Sequence, residues 1–461
     1  DIGTRHLVVA HKHSQNSSTG TSSNTNHEEQ AQIVPTREGA RYTYNGILYP
    51  PQDNDSSSEQ QSQQSPPLVG KLAFEKAFYG TTNQVRFPTD RYDNHDNNDD
   101  QQYDITSSII DITKPVLQEA LETRIGTSSL EGVRPVVALP PLPPLSMNNN
   151  NNNNHVNNDK LESAFQSFLP SNTTTFVPEP VAAVWGAEVQ SLLDVSSKDS
   201  GPVLVVDVGG SQTTCTVVHK YQIQASVTLP HTGGDLWIQT LVDSIVEEDN
   251  DEQSQYYQHD DMAQQRLYQA ATMAIAELNT STQVPIHIPY ITMNMKTREA
   301  HHLETTISRG VLEQKVQQRL QHILKTELLV VRDDDSTTTA TTTMFSPHVP
   351  PPTDYTSLYT SVLIQLLEST HMTPLTVKHV LLVGGGAKQP LIVSSLEQSW
   401  RTLTGQGSSS SSNADNNNNN NNNNNVLVIP ELAKRSDLVA LGAASLPSHH
   451  EYDPQQGIVI P

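Results

Sequence analysis

Cysteine is all but absent. Cys215 is the sole one in 461 residues, which excludes an intrachain disulfide and fits a reducing, cytoplasmic setting. Positive charge is scarce too: 27 Lys and Arg stand against 50 Asp and Glu, a formal net charge of -23. Without a basic stripe, a nucleic-acid backbone finds no electrostatic partner, and nucleic-acid binding is not expected. No apolar run approaches the roughly 20 residues that span a bilayer, and no secretory leader is visible, so no membrane role is expected.

Apolar residues are 34% of the chain and the mean hydropathy is -0.49, low values for a globular protein of this size. The deficit is concentrated. Tracts 13–32, 51–66, 147–159 and 405–425 are runs of Ser, Asn, Gln and Asp that read as disordered, because such runs cannot offset the roughly 1–2 kcal/mol per residue of backbone ordering entropy. Stretches 93–104 and 332–353 read as loop insertions, which closure entropy tolerates at surface turns. The remainder can still build a core.

In that remainder, apolar strands run into glycine turns. Val203-Leu204-Val205-Val206 ends on Asp207 and Gly209-Gly210, and Thr213 to Val218 continues as the return of a hairpin. His379 to Val383 runs into Gly384-Gly385-Gly386, and Pro390 suits the first turn of a helix reaching Trp400. Helical spacing marks Leu236 to Val246, Gln265 to Leu278 and Tyr355 to Leu367, so the class is α/β. Ser436 is placed to cap a helix whose small residues are Ala440, Gly442, Ala443 and Ala444.

Asp207-Val208-Gly209-Gly210-Ser211 offers a carboxylate for a metal-bound water and glycines that let peptide N–H groups approach a phosphate. It reads equally as a hairpin turn with an exposed Asp. Asp1-Ile2-Gly3-Thr4 repeats the device in four residues, a pattern that also arises by chance. Gly384 to Lys388 suits a phosphate or base face at a helix start, or simply a tight strand-to-helix turn; it is neither a Walker motif nor a dinucleotide fingerprint. Their spread along the chain describes two similar lobes closing on one nucleotide.

On these residues the chain resembles the heat-shock protein 70 family, within the superfamily of actin, hexokinase and chaperone ATPases. Asp1 to Thr4 resembles the family's first phosphate loop, and Asp207 to Gly210 its second. Val34-Pro35 to Arg41, Val69-Gly70 and Thr82 to Arg91 are similar to stretches of its first lobe. Glu179-Pro180-Val181-Ala182-Ala183 resembles the E-P-T-A-A signature, and Gly233-Gly234-Asp235 the G-G-x-D-F helix start. Ser281-Thr282-Gln283 resembles a strand approach in the second lobe, Val383-Gly384-Gly385 the adenosine loop, and Asp437 with Gly442-Ala443-Ala444 the closing helix.

The resemblance implies a two-lobed actin-like ATPase, a duplicated ribonuclease H-like α/β fold with a central nucleotide cleft. Lobe I would span 1–190, lobe II 200–428 and a closing segment 429–461, with no substrate-binding domain. The implied cofactors are ATP and Mg2+. Asp207 would be catalytic, and Asp1 and Asp207 would face the metal. Asp1, Gly3, Thr4, Gly209, Gly210, Ser211, Gly233, Gly234, Gly384, Gly385, Gly386, Lys388 and Asp437 would contact the nucleotide. Departures accompany it. Arg5 replaces a Thr, Phe74 stands at the catalytic Lys position between Lys71 and Lys76, and Ser211, Gln212 and Thr214 replace Gly, Thr and Asp. Thr272, Ile275 and Ala276 replace a Glu and a basic pair that face adenosine, and Lys388 replaces an Arg. The expected function is an ATP-binding chaperone or co-chaperone with a weak ATPase cycle, its partners other chaperones, ribosome-associated ones included. The alternative is a non-enzymatic pseudo-ATPase regulator; a sugar kinase of the superfamily ranks below both. Restoring Glu at 272 and Lys at 275 is expected to raise nucleotide affinity, unless that helix face is packed.

Overall fold

A computed structural model describes residues 105–126, 133–141, 158–170, 173–195, 200–248, 260–293, 298–325, 351–405, 426–431 and 434–446, with short pieces at 6–12, 31–35, 43–44, 47–48, 68–69, 129, 451–453 and 457–459. The low-complexity tracts lie almost wholly outside them. At their margins Gln32 is in a strand, Asn158 opens a helix and Pro352 is buried, so order reaches slightly further than composition suggests.

The described residues form a mixed α/β structure. Helix α1 (Ile105–Ile125) precedes strand β1 (Val136–Leu139). Helix α2 (Asn158–Gln166) leads to β2 (Thr175–Pro178), which pairs parallel with β1. Helix α3 (Glu179–Val189) follows without a loop, because Pro180 in its first turn has no N–H to satisfy.

Five strands make the main sheet: β3 (Val203–Val208), β4 (Gln212–His219), β5 (Gln222–Pro230), β8 (His379–Val383) and β9 (Val426–Val428). Their order is β5-β4-β3-β8-β9, antiparallel across the first three and parallel from β3 onward. The hairpin expected around Asp207 is thus the β3–β4 pair, with Thr214 opposite Asp207.

Helices α4 (Gly234–Glu248), α5 (Asp261–Leu278), α7 (Tyr355–Ser369) and α8 (Pro390–Thr404) stand where apolar spacing places them. Asp260 caps α5 through the N–H groups of Met262 and Ala263. Asp354 and Ser357 form a capping box on α7, and Gly405, at φ 72°, closes α8. Between α5 and α7, β6 (Gln283–Met293) and β7 (Ala300–Ser308) form an antiparallel hairpin, followed by α6 (Arg309–Ile323).

Alternation along β3 sorts the core. Leu204, Val206 and Val208 pack with α4, α5, α7 and α8, while Val203 and Val205 pack with α3 and α9 (Leu438–Ser445) on the other face. Each buried Val or Leu contributes about 1.5–3 kcal/mol. Helices α3 and α9 cross with their backbones touching: a Cβ on Gly442 would lie 1.8 Å from the Ala182 carbonyl oxygen, and one on Gly186 would lie 2.2 Å from that of Leu438. Ser436 does not cap α9. It ends a turn of 3-10 helix, Lys434–Ser436, and Asp437 takes the cap position.

Candidate functional site

Three turns converge at one end of the main sheet. The turn after β3 closes through Gly209 N–H to the Gln212 carbonyl, 2.9 Å. The start of α4 is bonded onto it: Gly234 N–H donates to the Gly209 carbonyl at 2.9 Å, and Asp235 N–H to that of Gly210 at 2.7 Å. A Cβ on Gly233 would meet the Gly210 oxygen at 2.4 Å, so only glycine lets the two turns touch. The third turn follows β8. Gly384 has φ 94°, and a Cβ there would lie 2.3 Å from both Asp207 Oδ1 and the Val208 carbonyl oxygen. Gly386 presses on Val208 and the Gly209 oxygen, whereas a Cβ on Gly385 would meet nothing within 4 Å. The amides of Gly210, Ser211 and Gly385 have no acceptor among the described residues.

Arg435 anchors the third turn. Its carbonyl accepts from Gly384 N–H at 2.8 Å, its Nη1 donates to the Ala387 carbonyl at 2.7 Å and its Nε to that of Pro430 at 2.9 Å. Burial lowers its pKa. Nothing in its local sequence singles this arginine out, because its acceptors are backbone groups of two separate segments.

Asp207 shares its face of β3 with Val203 and Val205, the face covered by α3. Glu179 opens α3, near enough for the charge of Asp207 to act on its carboxyl group. Burial, and then the charge of Asp207, raise the Glu179 pKa to about 8; burial raises that of Asp207 to about 6. The sequence pattern shows Glu179 within a signature and assigns it no role; the signal for one is its place at the start of the helix that covers β3. Thr214, opposite Asp207, carries no charge, and among the described residues Glu179 is an acidic neighbour of Asp207.

Among the described residues no group of three or more His, Cys, Asp or Glu is placed to hold a metal ion. Two carboxylates nevertheless suit Mg2+, which keeps several waters and takes one or two protein carboxylates together with phosphate oxygens. A cation there would offset the repulsion between the pair, and the unpartnered turn amides suit phosphate oxygens. The described residues fit the phosphate end of magnesium ATP. Cys215 is buried and its thiol is pushed up to about 12, which excludes it as a nucleophile.

Asp207, Gly209, Gly210, Gly233, Gly234, Gly384, Gly385 and Gly386 are therefore brought together. Ser211 sits in the first turn, and Lys388 ends the 3-10 segment of the third. The Asp437 side chain is 1% exposed and accepts from Ser436 Oγ at 3.3 Å. Asp1, Gly3 and Thr4, with Arg5, Lys71, Phe74 and Lys76, lie outside the described residues. On α5, Ile275 is buried in the core, Thr272 Oγ1 donates to the Tyr268 carbonyl at 2.8 Å, and Ala276 is exposed. The condition on restoring charge at 272 and 275 is met at Ile275: that part of the helix is packed.

Fold and site define an α/β protein in which glycine turns and a carboxyl pair gather at the strand ends of one mixed sheet. The model of the Hsp70 protein family matches residues 179–342. The chain is 29% identical over 158 residues to the chaperone protein DnaK of Deinococcus deserti, covering 33% of this chain and 24% of that protein. It is 28% identical over 166 residues to the DnaK of Deinococcus proteolyticus, covering 35% and 25%, and 27% identical over 156 residues to that of Deinococcus radiodurans, covering 33% and 24%. It spans about a quarter of the length of these relatives. Over residues 179–342 the chain is similar to the Hsp70 family, and divergently so. No helix among the described residues is long and apolar enough to cross a membrane.

Proposed function

We propose that the chain is a nucleotide-binding component of a cytoplasmic heat-shock protein 70-type chaperone system, with the phosphates of magnesium ATP held at the strand-end turns. Lobe I (1–190), lobe II (200–428) and the closing segment (429–461) would form the two-lobed cleft, with Asp1, Gly3 and Thr4 facing Asp207 across it. The convergence of Asp207, Glu179 and three glycine turns carries this reading. Magnesium ATP, when bound, supplies the phosphoryl group and the cation that neutralises it. The N–H groups of Gly210, Ser211 and Gly385 would donate to phosphate oxygens, Asp207 in its ionised form would orient water, and Glu179 would hold a proton beside it.

A non-hydrolysing regulator, binding another chaperone through the same fold, is the second reading. Its support is α5, where the residues expected to face adenosine are buried in the core, tied to the helix backbone or without a polar side-chain atom. Calorimetric titration of Mg-ATP, followed by phosphate-release assay of the chain and of Asp207→Asn, separates the two. Micromolar binding with turnover lost in the variant supports the ATPase. Binding without turnover supports the regulator, and no binding sinks the nucleotide site.

A further inference from the structure

Arg435 grips the third turn on both sides of Gly385. Its carbonyl accepts from Gly384 N–H at 2.8 Å, and its Nη1 donates to the Ala387 carbonyl at 2.7 Å. The same guanidinium reaches the Pro430 carbonyl through Nε at 2.9 Å, so one planar fork spans two backbone segments. The bond to Ala387 ties down the 3-10 turn Gly386–Lys388 that follows Gly385. The support behind the fork is itself tightly packed. Arg435 belongs to the turn Lys434–Ser436 that runs into α9, and α9 meets α3 backbone to backbone at Gly442 and Gly186. Helix α3 begins at Glu179, whose carboxyl group feels the charge of Asp207. The brace therefore links the third turn to the element that carries Glu179.

Backbone amides bind an anion well when their directions are set beforehand, because ordering a loose turn at the moment of binding subtracts from the affinity. Gly384, Gly385 and Gly386 are consecutive glycines, and without a brace they would be free to rotate. Resting on the phosphate-binding function proposed above, we infer that Arg435 is a positioning residue for the ligand: its fork, rather than its charge, holds the third turn so that the Gly385 N–H faces the phosphates. A lysine at this position keeps the charge and loses the fork. A charge acting through space on an anion weakens as salt rises, whereas a brace does not.

The test is calorimetric titration of Mg-ATP into the full chain, Arg435→Lys and Arg435→Met, each at low and at high salt, with a melting curve to establish folding. Both variants are expected to bind about tenfold more weakly than the wild-type chain, by the same factor at both salt concentrations. Wild-type affinity in Arg435→Lys, or a loss in Arg435→Met that disappears at high salt, overturns the brace in favour of a charge effect. Wild-type affinity in Arg435→Met, even with a lowered melting temperature, reduces the arginine to a structural one and overturns the proposal. Should neither variant fold, hydrogen exchange of the Gly384 amide in the wild-type chain decides. Saturating Mg-ATP is expected to slow it about tenfold, and an unchanged rate overturns the positioning role. Absence of binding by the wild-type chain overturns the phosphate site itself, and the positioning role with it.

Discussion

The turn after β3 and the helix α5 both border the same glycine cluster, but they hold their residues in different ways. In the turns, Gly233, Gly384 and Gly386 each touch backbone or side-chain atoms that a Cβ would strike, and Asp207 keeps its place beside them. On α5, Ile275 has joined the core, and Thr272 bonds to its own helix. The turns are built from backbone, and the contacts that could serve a phosphate also hold the sheet end together. A charged side chain on a helix face has no such second task, so it can be lost with no cost to the fold. Glycines that the fold itself requires are therefore weaker testimony to nucleotide binding than a carboxyl pair that burial disfavours. Gly385, where an added Cβ would meet nothing within 4 Å, is the informative exception.

The largest expected effect separates chemistry from fold. In Asp207→Asn, any ATP turnover should fall by about 100-fold or more while the melting temperature holds or rises, because a carboxylate that burial disfavours in its charged form is gone. Phosphate release and calorimetric melting on the same sample check it; a folded variant with full turnover sinks the assignment.

Next comes Gly384→Ala. Its φ of 94° and the 2.3 Å approach to Asp207 Oδ1 and the Val208 oxygen should cost about 2–4 kcal/mol in urea unfolding. A loss below about 1 kcal/mol would mean that the turn can relax.

Thr272→Glu with Ile275→Lys should destabilise by about 1–3 kcal/mol and leave Mg-ATP affinity unchanged, since the lysine enters the apolar core around α5. A gain in affinity at unchanged stability would show that the adenosine face survives after all.

Glu179 makes stability depend on pH. With its folded pKa raised to about 8, it keeps a proton that the unfolded chain releases near the ordinary glutamate value of 4.5. Its contribution is full below about pH 4.5 and is lost as pH rises to about 8. Glu179→Gln should flatten the profile and gain about 1–3 kcal/mol at pH 8 relative to pH 5, in unfolding without divalent cations. Parallel profiles for the two proteins would show that burial does not hold Glu179 protonated in the folded chain.

The smallest effect is the sharpest test of the comparison. Gly385→Ala should change stability by less than about 0.5 kcal/mol, because the added methyl meets open space and the backbone there is right-handed helical. If its amide serves a phosphate, ligand affinity falls in this variant alone among surface substitutions of the loop. Unchanged affinity would remove Gly385 from the site.

Much of the fold was legible because its signals are local. The apolar run Val203–Val206, the β-branched return from Thr213 and the helical spacing of Leu236, Leu241 and Ile245 each depend on neighbours within a few residues. Periodicity dictates strand or helix before any packing occurs, and glycine marks the turns whose backbone a side chain would obstruct. The sequence by itself therefore determined the α/β class, the hairpin that ends on Asp207, the turns at Gly233 and Gly384, and the reduced charge along α5. Tertiary structure alone decided which of these meet. It set Glu179 against Asp207, turned Arg435 onto the Ala387 carbonyl, placed Asp437 rather than Ser436 at the cap of α9 and drew Ile275 into the core. Each of those outcomes depends on which face of an element is covered and by what. Period and propensity fix what a segment becomes; only the close approach of distant segments, and the desolvation that comes with it, fixes what a side chain there can do.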